Sequence, residues 1–200
     1  MELNDNDVKK RILLSAKRLF AKQGYEGTSV RQICEEANAN IALVSYHFGG
    51  KEKVFEAIFE NFFPGSEEAF NRYATELSDP VQGLTLIVRE IVSFTINEKE
   101  LSDIVQQELT LQSPRMETVH AFLNPVWIRV KDLLKRGKDD GVFHFDSITA
   151  AFLTVMGVAL SHKKFRAVNV WLEDKNGFNP ENYPDQAAQF VLQGLGVTFS

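Results

Sequence analysis

The sequence predicts an all-α protein with an N-terminal three-helix head, which contains a helix-turn-helix, and a larger C-terminal helical bundle domain. Three observations support this class. Apolar residues recur at helical spacing, helix caps and breakers divide the chain repeatedly, and no segment shows the alternation of a convincing strand. The predicted division gives a helix-turn-helix domain of residues 1–50 and a larger helical domain of residues 51–200.

The first helix is predicted to begin at Asp5 or Asn6, either of which can cap it, and to end near Gln23 before Gly24. The spacing of its apolar residues predicts one buried stripe, formed by Val8, Ile12, Ala16, Leu19 and Phe20. Three lysines lie outside this stripe, and a solvated face is favoured for them over DNA contact: Lys9, Lys10 and Lys17.

The next two helices form the centre of the head. Thr28 or Ser29 can cap a second helix, and Asn38 suits the left-handed conformation that would end it. Asn40 can cap a third helix, which runs from Ile41 to about His47. A helix this short is not stable alone in water, so it must be held from behind and present its front to a partner. That arrangement is typical of a helix-turn-helix.

The remaining helices are predicted from caps, breakers and apolar spacing. A fourth helix runs from Lys51 to Phe63, and a polar helix follows over 67–77. The later helices are predicted at 80–97 after Asp79, at 99–112, at 115–136 with an interruption at Pro125 and an end at Gly137, from a cap at Asp146 to about Val168, and from Asp185 to about Leu195.

Charge argues against a protein that binds polyanions through bulk electrostatics. The chain carries a net charge of −5, and residues 1–52 contain eight basic and seven acidic side chains, so the head is only weakly basic. Any DNA binding must therefore depend on a few well-placed cations and on helix N-termini.

The composition also indicates where in the cell the protein is expected and which kinds of chemistry are not expected of it. Cys34 is the one cysteine, which excludes an internal disulfide, and it is expected to pack rather than to sense redox state. No apolar run approaches the roughly 20 residues of a membrane span, and the N-terminus lacks a secretory signal, so a cytoplasmic location without membrane partners is expected. No hydrolase, zinc-protease, redox or phosphate-loop motif is present, so neither an enzyme nor a cofactor or metal is predicted.

One stretch, from Lys10 to about Ile58, carries a more specific pattern. Its pieces are ILLSAKRLFAKQGYEGTS, VRQICEEA and SYHFGGKEKVFEAI, with an aromatic-His-Phe run before a Lys-Glu pair at a set distance from Gly24-Tyr25. This quarter of the chain resembles the DNA-binding head of the TetR family of bacterial transcription regulators. The resemblance implies a homodimer that grips double-stranded DNA with its heads and holds a small-molecule effector, with an apolar portion, in its larger domain.

The resemblance also implies which residues face DNA. They are Thr28, Ser29, Arg31, Asn40, Ile41, Ala42, Leu43, Ser45, Tyr46, His47 and Lys51. Arg31 suits a guanine edge, the apolar side chains of the third helix suit thymine methyl groups, and the last three residues of the set match positions that touch phosphates. Three alternatives stay open: Arg31 pairs with Glu35, His47 packs on Phe48, or Tyr46 is a core aromatic.

The chain departs from the family pattern at three positions of the head. Val30 stands where a hydroxyl residue is usual, which removes a phosphate contact, and Asn38 stands where glycine is usual. Ile41 replaces a lysine or polar residue, so the operator sequence cannot be carried over from the family.

The C-terminal domain is expected to provide a dimer contact and a ligand pocket. Small residues in its last two long helices allow close helix approach, either between subunits, as the resemblance implies, or within one: Ala150, Ala151, Gly157, Ala159, Ala187, Ala188 and Gly194. Candidate pocket residues are Phe94, Phe122, Trp127, Phe152 and Met156.

These expectations together predict a ligand-responsive transcriptional repressor that binds a palindromic operator as a dimer. Two other classes stay open. One is an architectural DNA-binding protein without an effector, and the other is a helical ligand carrier or enzyme in which the head is a packing module.

Overall fold

The computed structural model describes residues 5–63, 67–164 and 179–199, and all regular structure within these ranges is helical, as predicted. The helices are α1 (Asp5–Gln23), α2 (Val30–Ala37), α3 (Ile41–Phe48), α4 (Lys51–Phe62), α5 (Glu67–Arg72), α6 (Ala74–Ser78), α7 (Pro80–Asn97), α8 (Lys99–Leu111), α9 (Met116–Asp139), α10 (Ile148–Leu160) and α11 (Tyr183–Gly194). A single 3-10 turn, Ser161–Lys164, follows α10.

The chain forms two compact units, and the first is larger than the predicted head. It combines α1 to α4 with residues 98–122, which contain α8 and the beginning of α9. In this unit α1 packs against α2, α4 and α8, and α4 also packs against α3. The functional boundary at residue 50 stays a prediction, but the compact unit is built from two separate stretches of chain.

Aromatic rings fill the centre of the first unit. Phe20, Phe55 and Tyr25 contact one another with ring centroids 5.3–5.9 Å apart. The Phe59 ring continues this cluster to Phe122 on α9, whose ring stacks at 5.3 Å. Because Phe20, Phe55 and Phe59 are almost fully buried, α4 is fixed by large apolar contacts along its length.

Lys17 corrects the prediction of a solvated lysine face on α1. Only 6% of this residue is exposed. Its Nζ lies 2.8 Å from the Glu98 carboxylate, 3.6 Å from that of Glu100 and 4.3 Å from the centroid of the Phe62 ring. The long aliphatic stem of lysine permits this burial because the charged end still reaches its partners.

The second unit is organised around α7. This helix packs against α6, α10 and α11. The core contains fully buried aliphatic side chains from α7 and α9, among them Leu84, Val88, Val92, Val130, Leu133 and Leu134. Arg136 of α9 donates to the carbonyl oxygens of Leu77 and Ser78, which bonds the end of α6 to α9.

Several predicted helix boundaries were wrong. The polar helix 67–77 is two helices separated at Tyr73, and the cap of α10 is Ser147, whose hydroxyl accepts from the Ala150 N–H, rather than Asp146. The α-helix of α10 ends at Leu160, and residues 165–168 of the predicted helix lie outside the described ranges. The last helix begins at Tyr183 rather than at Asp185.

Helix α9 also differs from its prediction, since it is not split at Pro125 and does not end at Gly137. Gly137 is helical, and a Cβ on it would lie 2.0 Å from the Phe143 ring. The glycine is therefore needed for close packing, and the chain turns later, at Gly141 with φ of 73°.

None of the helices in the described ranges has both the length and the apolar character needed to cross a bilayer.

The Lys17 contacts predict a stability effect. Lys17→Met keeps an aliphatic stem over Phe62 but leaves the Glu98 and Glu100 carboxylates without their cation. Since both glutamates are partly exposed, the free energy of unfolding should fall by about 1–3 kcal/mol rather than by the full cost of an unpaired buried charge. Urea denaturation measures this change. The exposed Lys10→Met is the control, and equal midpoints for the two variants would contradict the assignment.

Candidate nucleic-acid interface

The start of α2 is fixed by two hydroxyl residues with different roles. Ser29 caps the helix and forms a capping box, because its side chain accepts from the Gln32 N–H and the Gln32 side chain accepts from the Ser29 N–H. Thr28 is buried, and its hydroxyl donates to the Gly24 carbonyl at 2.8 Å. Of these two predicted contact residues, Ser29 is exposed and Thr28 supports the turn from inside.

The turn between α2 and α3 depends on two asparagines. Asn38 adopts the left-handed conformation, with φ of 49° and ψ of 54°. The next residue, Ala39, donates its N–H to the Cys34 carbonyl. Asn40 then caps α3, since its Oδ1 accepts from the Ala42 N–H at 2.9 Å. Both asparagines therefore have the conformations that the sequence predicts, and they set the direction in which α3 leaves the turn.

Helix α3 has a buried back and an exposed front. Val44 is fully buried and anchors the helix against its neighbours, α2 and α4. On the front, Ile41, Ala42, Ser45 and Tyr46 are exposed, with Tyr46 at 78% and Ile41 at 52%. Leu43 lies partly buried between the two sides. The alternative in which Tyr46 is a core aromatic is therefore wrong.

Lys51 is a clamp within the first unit. Its Nζ donates to the carbonyl oxygens of Tyr25 and Thr28, at 3.0 and 2.9 Å, and lies 4.0 Å from the Tyr25 ring centroid. The ammonium therefore ties the first turn of α4 to the loop between α1 and α2. This position differs from that of an extended lysine that reaches outward to a phosphate.

His47 faces inward from α3. Its side chain is only 6% exposed, and its ring lies 6.3 Å from that of Phe48, centroid to centroid. The Asp5 carboxylate lies 3.3 Å from Nε2, so the beginning of α1 flanks the end of α3. The alternative in which His47 packs beside Phe48 describes this arrangement.

Arg31 lies on α2 next to the first turn of α3. Its Nε donates to the Glu35 carboxylate at 2.9 Å, which is the alternative pairing that the sequence left open. Arg31, Glu35, Asn38, Asn40 and Ile41 line one shallow depression of about 320 Å³. The arginine and the exposed first residue of α3 therefore border the same surface.

Many basic side chains of the head already interact with partners within the protein. Arg18 pairs with Glu36, and Arg11 donates to the Asn38 carbonyl. Among the described residues from Asp5 to Lys51, the exposed basic side chains without an ion-pair partner are Lys9, Lys10 and Lys22. The electrostatic attraction for a polyanion is consequently small, as the net charge predicts.

Burial raises the pKa values of two titrating groups in the first unit. It raises the pKa of the Cys34 thiol, and the neighbouring Glu35 carboxylate acts in the same direction. Burial also raises the pKa of Tyr25, an effect that the nearby Arg115 guanidinium opposes. Both groups are neutral at physiological pH, which fits packing roles.

A polar cluster surrounds Arg115 and could not be predicted from the sequence. Its guanidinium carbon lies 3.9 Å from the Tyr25 ring centroid, its Nε donates to the buried Glu108 carboxylate, and its Nη1 donates to Glu26. Ser113 donates to the same Glu108 carboxylate. The sequence contains no local signal for this cluster, because Tyr25 and Arg115 are 90 positions apart.

The candidate ligand residues do not all fall in one unit. Phe94 lies on α7, Trp127 on α9, and both Phe152 and Met156 on α10, all within the second unit. Phe122 belongs to the first unit, where it stacks on Phe59 and also contacts the Phe63 ring. The structure therefore leaves four candidates for a pocket in the second unit, and their ligand role stays a prediction.

Comparison with known proteins identifies relatives of this head. Residues 12–58 match the model of the bacterial regulatory proteins of the tetR family. The chain is 34% identical over 107 residues to the probable HTH-type transcriptional regulator YttP of Bacillus subtilis, a match that covers 52% of each chain. It is 32% identical over 141 residues to the uncharacterized HTH-type transcriptional regulator YxaF of the same species, which covers 66% of this chain and 72% of that protein.

Solved structures share the whole fold. HlyIIR, a hemolysin II transcriptional regulator, matches with a TM-score of 0.77 and 24% identity, over 98% of this chain and all of that chain. AibR, solved with isovaleryl coenzyme A and operator DNA, matches with a TM-score of 0.68 and 20% identity, over 96% of this chain and all of that chain. At these identities the likeness establishes the fold.

The conformation of Asn38 predicts how its variants behave. A left-handed residue with a Cβ other than asparagine costs about 1–2 kcal/mol, so Asn38→Ala should lower the free energy of unfolding by about 1 kcal/mol. Asn38→Gly should stay within about 0.5 kcal/mol of the original chain, because glycine adopts this conformation without strain. Chemical denaturation of both variants measures the difference. Equal loss in the two would show that the side chain, not the backbone conformation, matters here.

Proposed function

The chain belongs to the TetR family of bacterial regulatory proteins, and from this membership we propose that it is a transcriptional repressor, which binds a palindromic operator as a homodimer and is released by a small molecule. The observation that carries the proposal is the exposed front of α3 above a buried Val44. A short helix in this position enters the major groove with its first turns.

The contacts proposed for DNA follow from the chemistry of the exposed side chains. The exposed Ile41 and Ala42 and the partly buried Leu43 are apolar and suit thymine methyl groups. Arg31 suits the O6 and N7 atoms of guanine. Ser29 and Ser45 are exposed hydroxyls, and Tyr46 projects a phenol, so these three suit phosphate or sugar oxygens. The half-sites of one dimer would lie about 34–36 Å apart, one turn of DNA.

Four predicted contact residues are proposed to support this surface through contacts within the protein. Thr28, Asn40, His47 and Lys51 all have polar atoms beside internal partners. Their effect on DNA binding would arise from the position they give to α2, α3 and the first turn of α4. A direct phosphate contact by Lys51 would require its ammonium to leave at least one of the two carbonyls it now bonds.

The dimer is proposed to form through α10 and α11. Four of the small residues predicted there are buried within the subunit, as the intramolecular alternative expects: Ala151, Ala159, Ala187 and Ala188. The other three are exposed, and nothing lies within 4 Å of a Cβ built on Gly157 or Gly194. Beside these glycines, Leu153 and Phe190 are 63% and 65% exposed. Large apolar side chains next to bare glycine backbone form a surface suited to close packing with a second copy.

The effector is proposed to bind in the second unit, near Phe94, Trp127, Phe152 and Met156. AibR provides the supporting parallel, since that protein was crystallised with isovaleryl coenzyme A, a ligand with an apolar acyl group, and with operator DNA. A signal from this unit can reach the head through residues 98–122, which continue α7 and lead into α9 but fold with the first unit. Lys17–Glu98 and Arg115–Tyr25 bond that stretch to the head.

Repression follows from occupancy, since a dimer seated on an operator that overlaps a promoter excludes the polymerase. Binding to chromosomal DNA also places the protein in the bacterial cytoplasm. Ligand release requires that the effector prefer the state with lower DNA affinity, because only differential affinity shifts the population.

The proposed groove contact predicts a loss of DNA affinity in Tyr46→Ala. The DNA probe is a duplex selected by the unmodified protein from a random-sequence library. Removal of a phenol that contacts the backbone should weaken binding by about tenfold, or about 1.4 kcal/mol. Tyr73→Ala, which truncates an exposed tyrosine of the second unit, should bind normally in the same fluorescence anisotropy titration. Failure of the original protein to select any sequence would overturn the regulatory proposal.

The proposed dimer face predicts a change of mass in Leu153→Asp. A carboxylate buried between two subunits is unfavourable without a partner, so sedimentation equilibrium should shift from the dimer to the monomer mass. Ile128→Asp is a matched control, because Ile128 on α9 is 67% exposed and lies outside the proposed face. Dimers of unchanged stability in both variants would place the subunit contact elsewhere.

A further inference from the structure

Glu35 carries a negative charge at the surface proposed to bind DNA. A carboxylate in this position repels phosphates, so its presence needs an explanation. We propose that Glu35 is a positioning residue for base recognition, which holds Arg31 by its Nε so that the terminal amino groups face a guanine. The inference rests on the proposed function and assigns to Glu35 the specificity of one base position.

The hydrogen bond leaves the recognition edge of the arginine unused. Nε of Arg31 donates to Oε1 of Glu35 at 2.9 Å, and the two residues are four positions apart on α2. A guanidinium has five N–H donors, and this bond uses the one on Nε. The donors on Nη1 and Nη2 remain for the O6 and N7 atoms of guanine, which are best bound by two parallel hydrogen bonds.

The position of the pair fits this role. Arg31 and Glu35 are 80% and 62% exposed, so the guanidinium is accessible to a partner. Both residues line the depression that also contains Asn40 and Ile41, the cap and first residue of α3. An arginine held at this edge lies beside the turn of α3 that enters the major groove, where base edges are within reach.

The environment determines how much free energy the Arg31–Glu35 pair contributes. In water an exposed ion pair of this kind adds little to folding stability, because the solvent screens the charges and both side chains lose conformational freedom. Against DNA the surrounding water is displaced, so the same pair is stronger and the arginine needs less ordering on binding. The carboxylate also repels nearby phosphates, so Glu35 should lower affinity for DNA of any sequence while it raises preference for one base.

The neighbouring Glu36 provides a matched control. It carries the same charge on the same helix, but its Oε1 accepts from Nε of Arg18 on α1 at 2.7 Å. Glu35→Gln and Glu36→Gln therefore remove equal charge at adjacent positions. Only the first removes the charge that holds Arg31, the residue proposed to read a base.

The experiment compares base preferences of the full-length dimer. The original chain, Arg31→Ala, Glu35→Gln, Glu36→Gln and the double variant Arg31→Ala/Glu35→Gln are each titrated against the selected operator. The same titrations use duplexes with every single substitution in one half-site, and a random-sequence duplex measures non-specific affinity. Circular dichroism confirms that each variant is folded.

The original chain should prefer guanine at one position of each half-site, by about tenfold or more. Arg31→Ala should remove that preference, and Glu35→Gln should reduce it about three- to tenfold without a loss of non-specific affinity. Glu36→Gln should leave it unchanged, and Glu35→Gln should have no further effect on it once Arg31 is absent.

Three outcomes would overturn the inference while operator binding persists: a guanine preference that survives Arg31→Ala, equal base preferences in Glu35→Gln and the original chain, or equal losses in Glu35→Gln and Glu36→Gln. Absence of sequence-specific binding in the original chain would instead refute the proposed function.

Discussion

The candidate DNA interface depends on one packing contact, the burial of Val44 on the inner side of α3. An eight-residue helix has too few internal hydrogen bonds to offset the entropy of forming it, so its stability must come from packing and from its ends. Val44 supplies the packing, Asn40 caps the N-terminus, and Gly49 closes the C-terminus with a positive φ of 85°. Once the back of the helix is fixed in this way, the exposed residues on its front have defined directions. A surface that reads DNA requires a fixed helix, because a mobile helix would have to be ordered on binding and the entropy cost would lower the affinity.

The distribution of charge follows from the same requirement. A head that relied on bulk attraction would leave its cations free, but here Lys17 and Lys51 stabilise the interior and Arg18 and Arg31 pair with glutamates. Tyr25 lies about 4 Å from both Lys51 and Arg115, so one ring contacts the first turn of α4 and the turn before α9. These contacts lower the non-specific affinity for DNA, and they make the head more rigid. Selectivity would then depend on the shape of α2 and α3 more than on attraction to phosphate.

The sequence predicted the head better than the second unit, and the reason is local chemistry. Caps and turns act over three or four residues, so Asn38, Asn40 and the Ser29 cap were visible as residue types at short spacing. The roles of Lys17 and Lys51 were not visible, because their partners, Glu98 and the Tyr25 and Thr28 carbonyls, are distant in the chain. Gly137 was misjudged for the same reason, since glycine signals a helix end locally whereas Phe143 requires it within a helix. Long-range packing therefore decides what propensity leaves ambiguous.

The composition of the first unit also limits how the proposed effector could control DNA binding. Residues 98–122 fold with α1 to α4, so α4 is held by aromatic contacts to α1 and α9 as well as by its connection to the second unit. A ligand in the second unit could loosen α4 by itself only at the cost of those buried rings. Displacement of the whole unit, through the chain connections at its borders, leaves them intact. In the proposed dimer, the lower-cost route would therefore change where two intact heads stand on the operator, and each head would keep the shape that reads its half-site.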